Sequence, residues 1–328
     1  MAMDRTSYKN FIIKNALSFT AGILAFSILT GIGQKGFEFD GTQIINIPFY
    51  DKSVVGSDDI SFQKGKEELD TNITLPTTDF ATLKSKYYTV DSSTDLLPTD
   101  IDVEKFQNMD FNIDNTVEGP KILIFHTHAN EMYADSNGTL EDGIWGVGEE
   151  LKKYLEEFMG VEVIHDTGQY DRVNGKGQVI GAYERMEVSI QKILDENPSI
   201  QMVIDLHRDG VPEDTHLVTE IDGKQCAKIM FFNGLCRLYE NGSLNEISYL
   251  PNPYLEENLA LSFKMQTLAQ QYEGFTRKIY VNAYRYSLHM KPLSMLVEVG
   301  AQTNTKEEAL NSMYYLANII SNTINVKN

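Results

Sequence analysis

The sequence is poor in cysteine, with two in 328 residues. Two thiols cannot supply a four-cysteine zinc site or a disulfide scaffold. Basic residues are short too: 28 Lys and Arg stand against 47 Asp and Glu, a formal charge of −19. That balance excludes a nucleic-acid binder, which needs a basic surface, and adhesion to anionic lipid by surface charge. Nine prolines and 42% hydrophobic residues form a globular composition, so fully disordered and fibrous classes are excluded. No internal repeat is visible, and after residue 33 no apolar run is long enough to span a bilayer. The length suits one large domain with additions.

One uncharged run is present, over residues 15–33 (NALSFTAGILAFSILTGIG). Arg5, Lys9 and Lys14 precede it against the single acid Asp4. The run just spans a bilayer core, and the basic flank predicts a cytoplasmic segment 1–14 and a transmembrane anchor 15–33. A cleaved signal peptide is an alternative, although no clean A-x-A site follows. A buried helix is another, because Ser18, Thr20, Ser27 and Thr30 dilute the run. Residues 34–118 carry 17 acids and 7 bases with weak periodicity. They read as an extracytoplasmic spacer with a few short elements, or as a small membrane-proximal or partner-docking segment.

From residue 119 the pattern changes. Short apolar runs at 121–125 (KILIF), 161–165 (VEVIH), 201–206 (QMVIDL), 228–232 (KIMFF) and 294–299 (SMLVEV) read as buried strands. Helical spacing fits 148–159, 181–196, 257–272 and 306–324. The alternation predicts an α/β domain over 119–328, a mainly parallel sheet flanked by helices on both faces. Its site is expected at the carboxyl ends of the strands.

Three strand ends carry ionisable groups. The first runs into His126-Thr127-His128-Ala129-Asn130-Glu131, the second into Asp205-Leu206-His207-Arg208-Asp209, and the last holds Glu298. As parallel neighbours these ends converge on one rim. Two imidazoles and a carboxylate are the set a catalytic zinc prefers. His128, Glu131 and His207 are therefore the expected zinc ligands, and Glu298 the group that moves the proton. Glu298 in an apolar strand would cost several kcal/mol unpaired. A site explains its place; so would an ion pair with Arg208 or Arg285. Extended geometry puts His126 on the side of His128, as a ligand or as a group orienting one. Arg208 and Asp209 orient His207, bind substrate, or form a rim salt bridge. Arg285 and His289 are candidates to approach substrate, with an exposed loop His an equal reading of His289. His165 and His216 carry no assignment, and Cys226 and Cys236 read as packed thiols or a pair. Asn174-Gly175-Lys176-Gly177 reads as a turn.

The stretches 121–133 (KILIFHTHANEMY), 202–209 (MVIDLHRD) and 296–305 (LVEVGAQTNT) resemble stage II sporulation protein P of endospore-forming bacteria. Residues 258–279 and Tyr284-Arg285-Tyr286 fit the same family, so the resemblance covers about 119–328. It implies a membrane-anchored, zinc-dependent peptidoglycan hydrolase related to the N-acetylmuramoyl-L-alanine amidase fold. Such proteins act in the space between mother-cell and forespore membranes during engulfment. They remove stem peptides, can also cut peptide crosslinks, and work with stage II sporulation proteins D and M. By motif, His128 and His207 fall on metal-ligand positions and Glu298 on the catalytic acid. The amidase loop Gly-His-Gly reads Thr127-His128-Ala129 here, which leaves the carboxylate ligand open. Glu131 is favoured by its spacing to His128, while Glu141 lies near the place the wider amidase pattern uses, with Glu149 and Glu150 as further rivals. A zinc carboxypeptidase or endopeptidase acting only on peptide bonds of the cell wall is the second reading. A non-catalytic docking protein is the third.

Overall fold

A computed structural model of the chain describes residues 65–71 and 79–328. The expected cytoplasmic segment and anchor lie outside these residues. Among the described residues, no helix is long and apolar enough to cross a membrane.

Asp79 caps helix α1 (Phe80–Tyr87) by accepting from the Thr82 N–H. Strand β1 (Tyr88–Val90), helix α2 (Val103–Asn108) and β2 (Phe111–Asp114) follow. All four fall within the stretch read as spacer, yet they belong to the compact unit Lys66–Asn328. The main α/β run then begins with β3 (Ile122–Phe125), α3 (Ile144–Met159) and β4 (Val163–His165). A small hairpin, β5 (Arg172–Val173) and β6 (Lys176–Gly177), precedes α4 (Ala182–Glu196) and β7 (Met202–Asp209). Next come β8 (Val218–Ile221), β9 (Lys224–Ala227), β10 (Ile229–Gly234), β11 (Arg237–Glu240) and β12 (Ser243–Glu246). The chain closes with α5 (Leu255–Leu268), β13 (Ile279–Asn282), β14 (Leu293–Ala301), α6 (Lys306–Thr323) and β15 (Ile324–Lys327). A full capping box between Thr305 and Glu308 starts α6.

The seven-stranded sheet has the order β1-β13-β10-β14-β7-β3-β4. Every pairing in it is parallel except β10 with β14. The three strands that end in ionisable groups, β14, β7 and β3, are thus adjacent and parallel, and their carboxyl ends share one rim.

Strand alternation sorts side chains onto two faces. Ile122 and Ile124 of β3, with Met202, Ile204 and Leu206 of β7, join the large core under α3, α5 and α6. Leu123, Phe125 and Val203 face α4 through Met186, Ile190 and Leu194. Asp205 and His207 continue that second register on β7, so they open toward the α4 side.

Candidate active site

Register brings the key groups together before any side-chain contact is considered. Phe125 pairs with Asp205, and His207 pairs with Glu298 on the neighbouring parallel strand. Partners across a pair point to the same face, so His207 and Glu298 stand side by side. After Glu298 the register with β7 shifts. Gly300 occupies a left-handed conformation (φ 60°) there, and a Cβ on it would lie 2.6 Å from Asn304 Oδ1. Asn304 Oδ1 accepts from the Ala301 N–H at 2.9 Å and holds the bend.

The loop after β3 is pinned between β7 and β14. Thr127 donates to both oxygens of Asp205, from its N–H at 2.9 Å and its hydroxyl at 2.8 Å. The Arg208 N–H donates to Glu131 Oε2 at 2.8 Å, and Arg208 Nε to the Met132 carbonyl at 2.9 Å. The Tyr133 hydroxyl donates to the Val299 carbonyl at 3.0 Å. Asn130 is held by Asp171 from the hairpin side at 2.7 Å. These bonds set Glu131 Oε2 3.6 Å from His207 Nδ1. The other ring nitrogen, Nε2, bonds Asp205 at 2.7 Å. The His128 ring meets the His207 ring edge-on at 5.4 Å.

His128, Glu131, His207 and Glu298 therefore meet at one rim. Glu141 lies exposed in a short 3-10 turn, Glu150 pairs with Lys153, and Glu149 bonds His165. Arg208 acts on the site through the two bonds that fix the Glu131 loop. Arg285 is held by both oxygens of Glu187, at 2.8 and 2.9 Å, and His289 lies 3.3 Å from the same carboxylate. Asp209 pairs with Arg277. Cys226 and Cys236 are free thiols.

His126 departs from the expected placement beside His128. The strand ends at Phe125 and the chain turns over residues 127–130, so alternation no longer applies. His126 keeps the register of Ile122 and Ile124 and faces α3. It is fully buried, donating from Nδ1 to the Leu206 carbonyl at 2.7 Å, with Nε2 2.8 Å from His165 Nε2. His165 in turn bonds Glu149 at 2.5 Å and stacks on Trp145. Burial pushes His126 down to about 3 and His165 to about 4.

At the rim the acids and the imidazole between them set one another's protonation. Burial alone would lower the pKa of His207, but Asp205 and Glu131 outweigh it and hold it well above the usual imidazole value. Burial would raise Glu131, but His207 and Arg208 keep it low. Glu298 goes the other way: burial lifts it to about 8, and Asp209 and Glu131 add to the lift. Its Oε2 is buried with no hydrogen-bond partner. Among the described residues, no three His, Cys, Asp or Glu side chains close into a metal-ligand set. The donor chemistry nevertheless suits a zinc ion. There are two imidazoles and a carboxylate, a second carboxylate steadying the far nitrogen of His207, and an orphaned acid beside them.

Fold and rim together define a mixed α/β protein with an acid–imidazole site at the carboxyl ends of its central parallel strands. The chain belongs to the stage II sporulation protein P family, whose model matches residues 51–321. No curated protein matches it. Among solved structures it is similar to the apo form of the N-acetylmuramyl-L-alanine amidase Ami1 from Mycobacterium abscessus. That match has 16% identity and a TM-score of 0.33, and covers 62% of this chain and 97% of the other. It is also similar to Ami1 from Mycobacterium smegmatis, at 12% identity, TM-score 0.35, and 64% and 97% coverage.

Proposed function

We propose that the chain is a zinc-dependent peptidoglycan hydrolase, an N-acetylmuramoyl-L-alanine amidase that removes stem peptides from glycan strands during engulfment. The observation that carries this reading is the approach of His128 and Glu131 to His207, whose strand partner Glu298 holds a buried, unpartnered oxygen, in a chain of a sporulation family. His128, Glu131 and His207 would hold the ion. Bound there, zinc supplies Lewis acidity to a carbonyl oxygen and to water. Asp205 fixes the tautomer of His207 and leaves Nδ1 facing Glu131. Glu298, the strand partner of His207, would take a proton from water and give it to the departing amine. On the same reading residues 15–33 anchor the chain, the site lies between the mother-cell and forespore membranes, and stage II sporulation proteins D and M are its partners. Family membership and the basic flank of Arg5, Lys9 and Lys14 support that placement.

The test is digestion of purified peptidoglycan with product analysis. Release of peptides with a free L-alanine amine from the lactyl group is the expected result. Cleavage only between amino acids would replace the amidase by a zinc carboxypeptidase or endopeptidase, the reading that the His128-x-x-Glu131 spacing also suits. Metal analysis is expected to find about one zinc per chain, lost in His207→Ala. Glu298→Gln should keep the metal and lose about 10²–10⁴-fold in rate. A metal-free protein that digests nothing would instead be a docking protein.

A further inference from the structure

One group at the rim is unused by this mechanism. Tyr183 lies in the first turn of α4, and its ring meets the His128 ring edge-on at 5.8 Å. It also meets Tyr286, at 5.3 Å, whose ring in turn packs on Phe232 at 4.7 Å, and it packs against the apolar cluster under α4. Tyr286 sits at φ 51°, a left-handed backbone rare for an aromatic residue and a form of strain that recurs at functional sites. The three rings make a wall on the α4 side of the sheet, on the face that carries His207 and Glu298.

Tyr183 is half-buried, and among the described residues its hydroxyl makes no hydrogen bond. It is not sealed among apolar groups as the Tyr87 and Tyr88 hydroxyls are. Burial first, then the carboxylates of Asp205, Glu298 and Glu131, push its ionisation well above the usual phenol value. The hydroxyl is thus a neutral donor that feels the same acids as the site, has no protein acceptor among the described residues and is not sealed off. A phenol in that position is free to donate to an acceptor on the substrate.

We propose that Tyr183 is a further catalytic residue: its hydroxyl donates a hydrogen bond to the scissile carbonyl oxygen as that oxygen gains negative charge. No bond to Tyr183 forms or breaks and its proton stays on the phenol. The ring's contact with His128 and Tyr286 fixes the donor before substrate arrives, which is what makes such a donor effective. The inference rests on the hydrolase reading of the rim.

The experiment is Tyr183→Phe in the full chain, which keeps the ring on His128 and removes only the donor. Expected is a fall in kcat of about 100-fold, the effect of removing one oxyanion donor. Zinc content, melting temperature and the affinity for the released stem peptide should be unchanged. An unchanged kcat would overturn the proposal. So would a loss confined to KM and to affinity for the released stem peptide, which would make the hydroxyl a ground-state contact. A large drop in melting temperature or in zinc content would overturn it too, by giving the hydroxyl a structural partner. Failure here differs from failure of the hydrolase reading: in the latter, the unsubstituted protein releases no peptide at all.

Discussion

Glu298 stands between Val297 and Val299, both fully buried, in a strand that otherwise contributes to the core. Its burial has a thermodynamic consequence independent of catalysis. In metal-free protein its pKa is about 8, against an ordinary value of 4.5. Between these two values the folded chain keeps a proton that the unfolded chain has released. Stability therefore falls as pH rises through that window, by up to about 1.4 kcal/mol per pH unit. Glu298→Gln is neutral throughout and lacks this contribution. His207, held well above the usual imidazole value, adds a slope of the same sign, but it is common to both proteins. Urea midpoints at pH 5 and pH 8, with chelator present, should differ less for the variant than for the parent chain: the parent loses stability over the interval and the variant loses clearly less. Equal slopes would mean that Glu298 is solvated or partnered.

At the scale of elements, the contact between α3 and the end of β3 is the tightest test of the packing. Gly148 lies where a Cβ would come within 2.7 Å of His126 Nε2 and 2.9 Å of His165 Nε2. Only a residue without a Cβ lets the helix approach this buried pair. Gly148→Ala forces the imidazoles apart, and overpacking of this kind costs about 1–3 kcal/mol. It also strains the His126 bond to the Leu206 carbonyl, next to His207. A urea midpoint within error of the parent's would show that the helix can back away freely. The same region shows what could be read beforehand. Strands β3, β7 and β14 were legible because each is a continuous apolar run broken by ionisable residues, and the convergence of His128, His207 and Glu298 follows from their being parallel neighbours. The side of His126 was not legible, because alternation fails once Thr127 turns the chain onto Asp205. Nor were the long-range bonds from Arg208 and Tyr133 that place the Glu131 loop, which spacing does not reveal. Tyr183 gave no signal at all: in sequence it is an ordinary helix position.

At the scale of the whole molecule, the boundary near residue 118 suggested by charge and weak periodicity falls inside the folded unit. The elements before it are three to eight residues long, too short to show a period, and each is stabilised by distant partners. Strand β1 pairs with β13, and β2 pairs with β15 at the other end of the chain. Tyr87, Tyr88 and Phe106 surround Phe263 of α5 with centroids at 5.3, 6.4 and 6.1 Å. Phe111 and Ile113 are also buried. Burying a large apolar side chain is worth about 1.5–3 kcal/mol, so these five contribute on the order of 10 kcal/mol as an upper bound. That is comparable to the entire stability of a typical domain. A chain beginning at Gly119 should therefore show no cooperative melt, and should aggregate through the uncovered edge of β13 and the bared face of α5. A chain beginning at Gly65 retains these elements and should melt cooperatively. The two are compared by circular dichroism against temperature. If the shorter chain melted within a few degrees of the longer one, residues 79–118 would be an appendage after all, and the acidic stretch would regain its reading as a spacer.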